Sequence, residues 1–281
     1  MELITSRRNP LVGRLRALHQ PKGRREQGLL LLEGTHLLQE MRRCGLPPER
    51  ILATPAWMER HGELLHQLSE LLSGSAAAVQ PVSEEVLAAV ATTDHPDGVV
   101  ATVASDSLPR GGGGGGGGFV LALDQLQDPG NLGTLLRTAL AAGVEEVWLG
   151  GGADPLQPKV LRASAGAALA LPLHREADRA GLMPLLRRAA GAGHQLVATL
   201  VEGGDGADHA PLPYWQLDWT QPTVLLLGNE GAGLHPELAA LASHRVTIPH
   251  SRAVESLNVA VAAGPLLLER WRQRRQRASA P

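Results

Sequence analysis

Residues Phe119–Gly150 read FVLALDQLQDPGNLGTLLRTALAAGVEEVWLG. Phe119 to Leu123 is an apolar run of strand length. Asp128-Pro129-Gly130 turns the chain, and Asn131 stands where a helix N-cap is expected. Leu132 to Ala142 has helical composition and spacing, Gly143 stops it, and Val144 to Leu149 is a second strand. A strand, a polar turn and a helix begin a βαβ unit, and such units bind ligands at the carboxyl ends of their strands. The order Asn131-x-Gly133-x-x-x-Arg137-Thr138-Ala139 is unusual within it. Gly133 and Arg137 are four apart and share a helix face, so the glycine leaves room for a ligand beside the guanidinium. The plainer alternative is a cap, a close-packing glycine and a solvated arginine.

Outward from this stretch the alternation continues. Pro158 to Leu169 reads as a helix of small residues, Asp178 to Ala192 as a helix and Gln195 to Val201 as a strand. Gly203 to Trp219 is a loop. Thr223 to Leu227 is a fully apolar strand, Leu234 to Ala242 a helix and Arg245 to Ile248 a strand. The last helix runs from about Ser256 into an arginine-rich tail. The pattern predicts an α/β domain with a mostly parallel sheet and helices on both faces.

Upstream, residues 1–105 predict a second, smaller α/β domain. Its helices are Leu11 to Leu18, Thr35 to Cys44, Met58 to Leu72 and Glu84 to Val90; Gln20 to Gln27 is a basic turn. Its strands are Leu29 to Leu32, Arg50 to Ala53 and Val99 to Val103. Gly111 to Gly118 is a run of eight glycines, which predicts a flexible tether with a span of roughly 15 Å. The expected division is a domain at 1–105, a linker at 106–118 and a domain at 119–281.

The 281 residues suffice for two domains, and 43% apolar content supplies a core, although aromatics are only 2%. Net charge is −2, but its distribution is uneven. Arg7, Arg8, Arg14, Arg16, Lys22, Arg24 and Arg25 crowd the N-terminus, and Arg270, Arg272, Arg274, Arg275 and Arg277 the C-terminus. Such patches suit a polyanion. Cys44 is the sole cysteine, so no disulfide framework or thiolate metal cluster is expected, and the histidines fall in no ligand spacing. No signal pattern or membrane-length apolar run is present; a cytoplasmic protein with no membrane or metal partner is expected.

Two further stretches carry chemistry. Leu227-Gly228-Asn229-Glu230-Gly231-Ala232-Gly233 ends a buried strand in a glycine-rich turn, whose backbone N–H groups can converge on a ligand beside Glu230. Ile248-Pro249 is followed by Ser256-Leu257-Asn258-Val259. Ser256 is a plausible N-cap there, and Asn258 has no propensity reason to lie in a helix.

Together these three stretches, in this order, resemble the SpoU class of RNA ribose 2′-O-methyltransferases in the SPOUT superfamily. Arg162-Ala163-Ser164-Ala165-Gly166-Ala167 also looks like that family. Thr5-Ser6, Asn9-Pro10, Lys22, Arg24 and Leu32-Glu33-Gly34 resemble the ribosomal-protein-like substrate-binding domain that many members carry. The resemblance implies a C-terminal trefoil-knotted domain, an exception to the rule against threaded loops. It implies S-adenosylmethionine as cofactor, held by Leu227, Gly228, Ile248 and Leu257 largely through backbone groups, and a homodimer through the catalytic domain. Arg137 is then the catalytic candidate, with Asn131, Glu230, Ser256 and Asn258 positioning the ribose hydroxyl and its phosphate. Arg7, Arg8, Lys22, Arg24 and Arg25 are the expected RNA contacts. Ala260 departs from the pattern, standing where members often have serine. A separate N-terminal domain favours ribosomal over transfer RNA as substrate. A catalytically idle RNA-binding relative should have lost Arg137, Asn131 or Ser256, and a dinucleotide-binding dehydrogenase needs a Gly-x-Gly-x-x-Gly turn that is absent.

Overall fold

The computed structural model describes residues 2–71, 79–113, 118–200, 210–251 and 253–278. They group into two compact units, Met1–Pro109 with Asp154–Ala170, and Arg110–Ala153 with Leu171–Pro281.

The first unit contains α1 (Pro10–Ala17), α2 (Pro21–Gln27), β1 (Leu29–Glu33), α3 (Thr35–Arg43), β2 (Pro48–Ala53), α4 (Pro55–Arg60), α5 (Gly62–Glu70), β3 (Val79–Pro81), α6 (Glu84–Val90) and β4 (Val99–Ala104). Its sheet runs β1-β4-β2-β3, antiparallel except where β2 meets β3. Leu15, Leu18, Leu31, Leu52, Val86 and Val100 form part of its core. The expected basic turn at Gln20 to Gln27 is instead α2: Pro21 opens it, and Gly28 closes it at φ +64°. Gly23 is forced by packing, because a Cβ there would lie 2.0 Å from the Ala17 carbonyl oxygen.

The second unit begins with β5 (Phe119–Asp124), α7 (Pro129–Ala141) and β6 (Glu146–Gly150). The chain then gives α8 (Pro158–Ala163) and α9 (Ala167–Ala170), which group with the first unit. It returns with β7 (Leu173–Glu176), α10 (Arg179–Gly191), β8 (Gln195–Thr199), β9 (Leu212–Pro213), β10 (Thr223–Leu227), α11 (Pro236–Ala239), β11 (His244–Thr247) and α12 (Val259–Ala278). Its seven strands pair in the order β7-β6-β5-β10-β8-β11-β9, every pairing parallel. The central strands β5 and β10 are buried along their whole length, which explains their unbroken apolar sequence.

The single small-residue helix expected over Pro158 to Leu169 is broken. Ala165 and Gly166 take φ +47° and +83°, and a Cβ on Gly166 would fall 2.6 Å from that of Glu40. This segment meets the first unit through two ion pairs. The buried Arg24 guanidinium donates to the carbonyls of Leu18 and His19 and pairs with Asp154. The Glu33 carboxylate, also buried, accepts from Arg162 at 3.2 Å and from the amides and hydroxyls of Thr92 and Thr93.

In the glycine run, positions 114–117 lie outside the described residues. Gly111 donates to the Leu173 carbonyl at 3.2 Å, Gly113 to the Glu146 carboxylate at 2.7 Å and Gly118 to that of Glu145 at 2.9 Å. These described glycines are therefore hydrogen-bonded within the second unit.

Candidate active site

The carboxyl ends of β5, β10 and β11 carry the three stretches. After β5, Asp128 rather than Asn131 caps α7, its carboxylate accepting the Asn131 amide at 2.8 Å. A negative N-cap at a helix start is favourable, and Pro129 at the first helical position fixes the start one turn earlier than its composition implies. Asn131 is thereby in the first turn of α7 with its side chain released from capping.

After β10, Asn229 and Gly233 exchange backbone hydrogen bonds at 3.0 Å and close the glycine-rich turn. The Asn229 carboxamide holds it from inside, accepting the amides of Gly231 and Ala232 and donating to the Gln125 carbonyl. Gly228 is there by necessity: a Cβ would lie 2.1 Å from backbone atoms of Gly233 and Leu234. Gly228→Ala is expected to displace the turn at a cost of about 1–3 kcal/mol, weakening S-adenosylmethionine binding roughly tenfold. Calorimetric titration checks this, and unchanged affinity would separate the turn from the ligand.

Glu230 projects from that turn onto the start of α7. Its carboxylate accepts the amides of Gln127 at 3.0 Å and Asp128 at 2.9 Å, and the Asn131 carboxamide at 3.4 Å. Partial burial acts to raise its pKa, but these donors outweigh it and hold the carboxyl below the usual range. Asn258 completes the chain by donating to the Asn131 side-chain oxygen at 3.0 Å.

Asn258 is also the N-cap of α12, because its side-chain oxygen accepts the amides of Ala260 and Val261. The cap expected at Ser256 is thus two residues further on, and this is why an asparagine stands there. Ser256 is exposed and precedes the helix. Ala260 is buried in the first turn.

Leu227 and Gly228 from the second stretch and Ile248 and Leu257 from the third line one cavity of about 330 Å³. Glu230 and Ser256 line it too, as do Thr199, Thr247 and His250. The last three escaped sequence reading; Thr247 and His250 only flank Ile248-Pro249, and Thr199 lies at the end of β8. The Thr247 hydroxyl is buried without a protein hydrogen-bond partner among the described residues. Apolar walls, bare backbone at Gly228 and one unpaired hydroxyl suit a flat heterocycle read mainly through main-chain groups.

Arg137 stands apart. It is exposed, outside the cavity lining, and makes no hydrogen bond or ion pair with another described residue. On the same helix Gly133 is buried and Arg137 exposed. Of the basic residues expected to meet RNA, Arg7, Arg8, Lys22 and Arg25 are exposed. Arg24 is not among them, since its guanidinium is buried and already held by three acceptors. Among the described residues no group of His, Cys, Asp and Glu is placed to hold a metal ion, and no helix is long and apolar enough to cross a membrane.

The comparison with known proteins agrees with this geometry. Residues 118–268 match the model of the SpoU rRNA Methylase family, and residues 9–101 match that of an MRM3-like substrate binding domain. An uncharacterised tRNA/rRNA methyltransferase of Synechocystis sp. is 44% identical over 271 residues, covering 96% of this chain and 93% of its own. The 23S rRNA (guanosine(2553)-2′-O)-methyltransferase RlmP of Bacillus subtilis is 30% identical over 269 residues, covering 95% and 98%. The AdoMet-bound rRNA methyltransferase of Sinorhizobium meliloti superposes with a TM-score of 0.77 at 32% identity, over 96% of this chain and 97% of its own. With its three stretches converging at one end of a parallel sheet, this chain belongs to the SpoU rRNA methylase family.

Proposed function

We propose that the protein is an S-adenosylmethionine-dependent 2′-O-ribose methyltransferase acting on ribosomal RNA in the cytoplasm. The observation that carries this is the cavity itself: Leu227, Gly228, Ile248 and Leu257 meet in it, with Glu230 and Ser256 in the same wall. When bound, the cofactor would supply an electrophilic methyl group on a sulfonium for the ribose oxygen, the thioether leaving and the hydroxyl proton passing to solvent. The chain's task is to hold the cofactor and to place and polarise the hydroxyl.

Glu230, Asn131 and Asn258 do this as one hydrogen-bonded chain that ties the β10 turn to the starts of α7 and α12. Ser256 supplies a hydroxyl at the cavity wall. Arg137 stays protonated, as a guanidinium does in proteins. It orients the ribose hydroxyl and stabilises the developing alkoxide charge.

The other parts follow the same reading. Residues 1–105 bind the RNA, with Arg7, Arg8, Lys22 and Arg25 on its phosphates, and 119–281 is a trefoil-knotted catalytic domain joined through 106–118. Two copies pair through that domain. The exposed Val261 and Leu268 of α12, seven residues apart on one face, support such a contact.

Tritium transfer from labelled S-adenosylmethionine to unmodified ribosomal and transfer RNA tests the activity. Label in ribosomal RNA that survives alkali as dinucleotides is expected. Label in transfer RNA alone, or in alkali-labile mononucleotides, overturns the substrate or the position.

A further inference from the structure

We propose that the Thr247 hydroxyl is a cofactor contact, hydrogen-bonding the uncharged nucleoside end of S-adenosylmethionine. This rests on the cofactor reading of the cavity and deepens it, by naming the side chain that recognises one end of the ligand.

Thr247 closes β11, is 2% exposed and lines the cavity. Its hydroxyl finds no hydrogen-bond partner among the described residues. A β-branched residue suits a strand, but valine has nearly the same shape and brings no polar atom to leave unpaired. A buried hydroxyl without a partner costs stability, and threonine hydroxyls ordinarily avoid that cost by bonding to backbone. Thr199 does so in the same cavity lining, donating to the Leu226 carbonyl at 2.9 Å. Thr134 and Thr138 do so on α7.

The other polar groups of the lining are committed or exposed. His250 Nδ1–H donates to the Ile248 carbonyl at 2.7 Å. The Asn229 carboxamide braces its own turn. Glu230 and Ser256 are exposed, and the Glu230 carboxylate accepts the amides of Gln127 and Asp128. Among the described residues of this lining, Thr247 alone is buried with its polar atom uncommitted.

The neighbouring wall sets which end of the cofactor such a hydroxyl meets. Val259, Ala262 and Leu266, spaced three and four apart on one face of α12, line the cavity with Leu227 and Ile248. An ammonium or carboxylate would lose its hydration against that apolar surface. The heteroatoms of adenine and ribose carry no charge and need only a hydrogen bond. A hydroxyl can donate to a ring nitrogen or accept from an amine, so either edge of the purine satisfies it. The charged methionine end is left the exposed side of the cavity, with Glu230 and Ser256.

The test is calorimetric titration of the full chain with S-adenosylhomocysteine and with 5′-methylthioadenosine, which lacks the amino-acid end. Thr247→Val is expected to bind both about tenfold more weakly, and Thr247→Ser to stay within about threefold of wild type. Without ligand, Thr247→Val should melt at or above the wild-type temperature, because a polar atom with no partner has been removed. A loss restricted to S-adenosylhomocysteine puts the hydroxyl at the amino-acid end and overturns the proposal. So does unchanged affinity for both ligands, or a loss accompanied by a lower melting temperature, which would make Thr247 a packing residue. If the wild type binds neither ligand, the cofactor reading falls and this contact with it. If it binds both with these dependences but methylates no RNA, the activity fails while this contact stands.

Discussion

Arg137→Ala is expected to lower methyl transfer by about 10²–10³-fold while cofactor affinity stays at the wild-type value. The two effects separate because the guanidinium lies outside the cavity lined by Leu227, Gly228, Ile248 and Leu257. The side chain is exposed on α7 with no partner to hold it, so its removal disturbs neither the turn after β10 nor the start of the helix. A group used only as charge develops on oxygen lowers kcat and kcat/KM together. Arg137→Lys keeps the charge but loses the planar fork, and should fall between alanine and wild type. Single-turnover rates at saturating cofactor, beside calorimetric titration of the cofactor, measure both quantities. A near-full rate for the lysine variant would show that charge alone suffices; a near-full rate for alanine would remove Arg137 from the reaction.

Glu33→Ala is expected to destabilise the protein by about 3 kcal/mol, a fall in melting temperature of roughly 6–12 °C. Glu33 is buried, and its carboxylate accepts four hydrogen bonds from Thr92 and Thr93 and one from Arg162. Alanine leaves those donors with nothing to meet. Burial tends to raise the Glu33 pKa, but the threonine donors and the Arg162 charge together hold it below the usual value. A carboxyl lowered on folding contributes in full above its unfolded pKa of about 4.3 and loses that contribution as pH falls through the folded value. The gap in melting temperature between wild type and variant should therefore be constant near neutrality and shrink in acid. A gap that persists unchanged to low pH would mean that packing, not the carboxylate, is responsible.

Glu33 also shows how far the sequence could be read. Leu32-Glu33-Gly34 and the Arg162 to Ala167 segment are both recognisable in the chain, but nothing local relates two positions 129 residues apart. Their partnership exists only because Asp154–Ala170 groups with the first unit. The expected division into contiguous domains did not anticipate that, since composition reports what a segment is made of and not what covers it. Arg24 is the same lesson at one residue. A basic stretch reads as a solvated or RNA-facing patch, and only the fold shows that this one arginine is buried against Asp154.

Local physics settled the rest early. Unbroken apolar runs gave β5 and β10 because a strand buried on both faces has no polar side to display. Gly143 ended α7 because a left-handed residue is needed there. The glycines of the β10 turn and the asparagine before α12 were visible as residues without a propensity reason, which is how site residues reveal themselves in sequence. Caps were less legible: Asp128 and Asn258 won the roles expected of Asn131 and Ser256, by geometry that only a fixed backbone decides.

By itself, then, the sequence determined the α/β class and the long apolar strands, which depend on side-chain type and short spacing; β3, β7 and β9 it did not mark. The tertiary structure alone decided that Glu230, Asn131 and Asn258 form one hydrogen-bonded chain. It also decided that Leu227, Gly228, Ile248 and Leu257, from two of the stretches, line one cavity. The hydrogen bonds join positions about a hundred residues or more apart, and the cavity joins the ends of β10 and β11, which the sheet holds on either side of β8; no local preference encodes such a meeting.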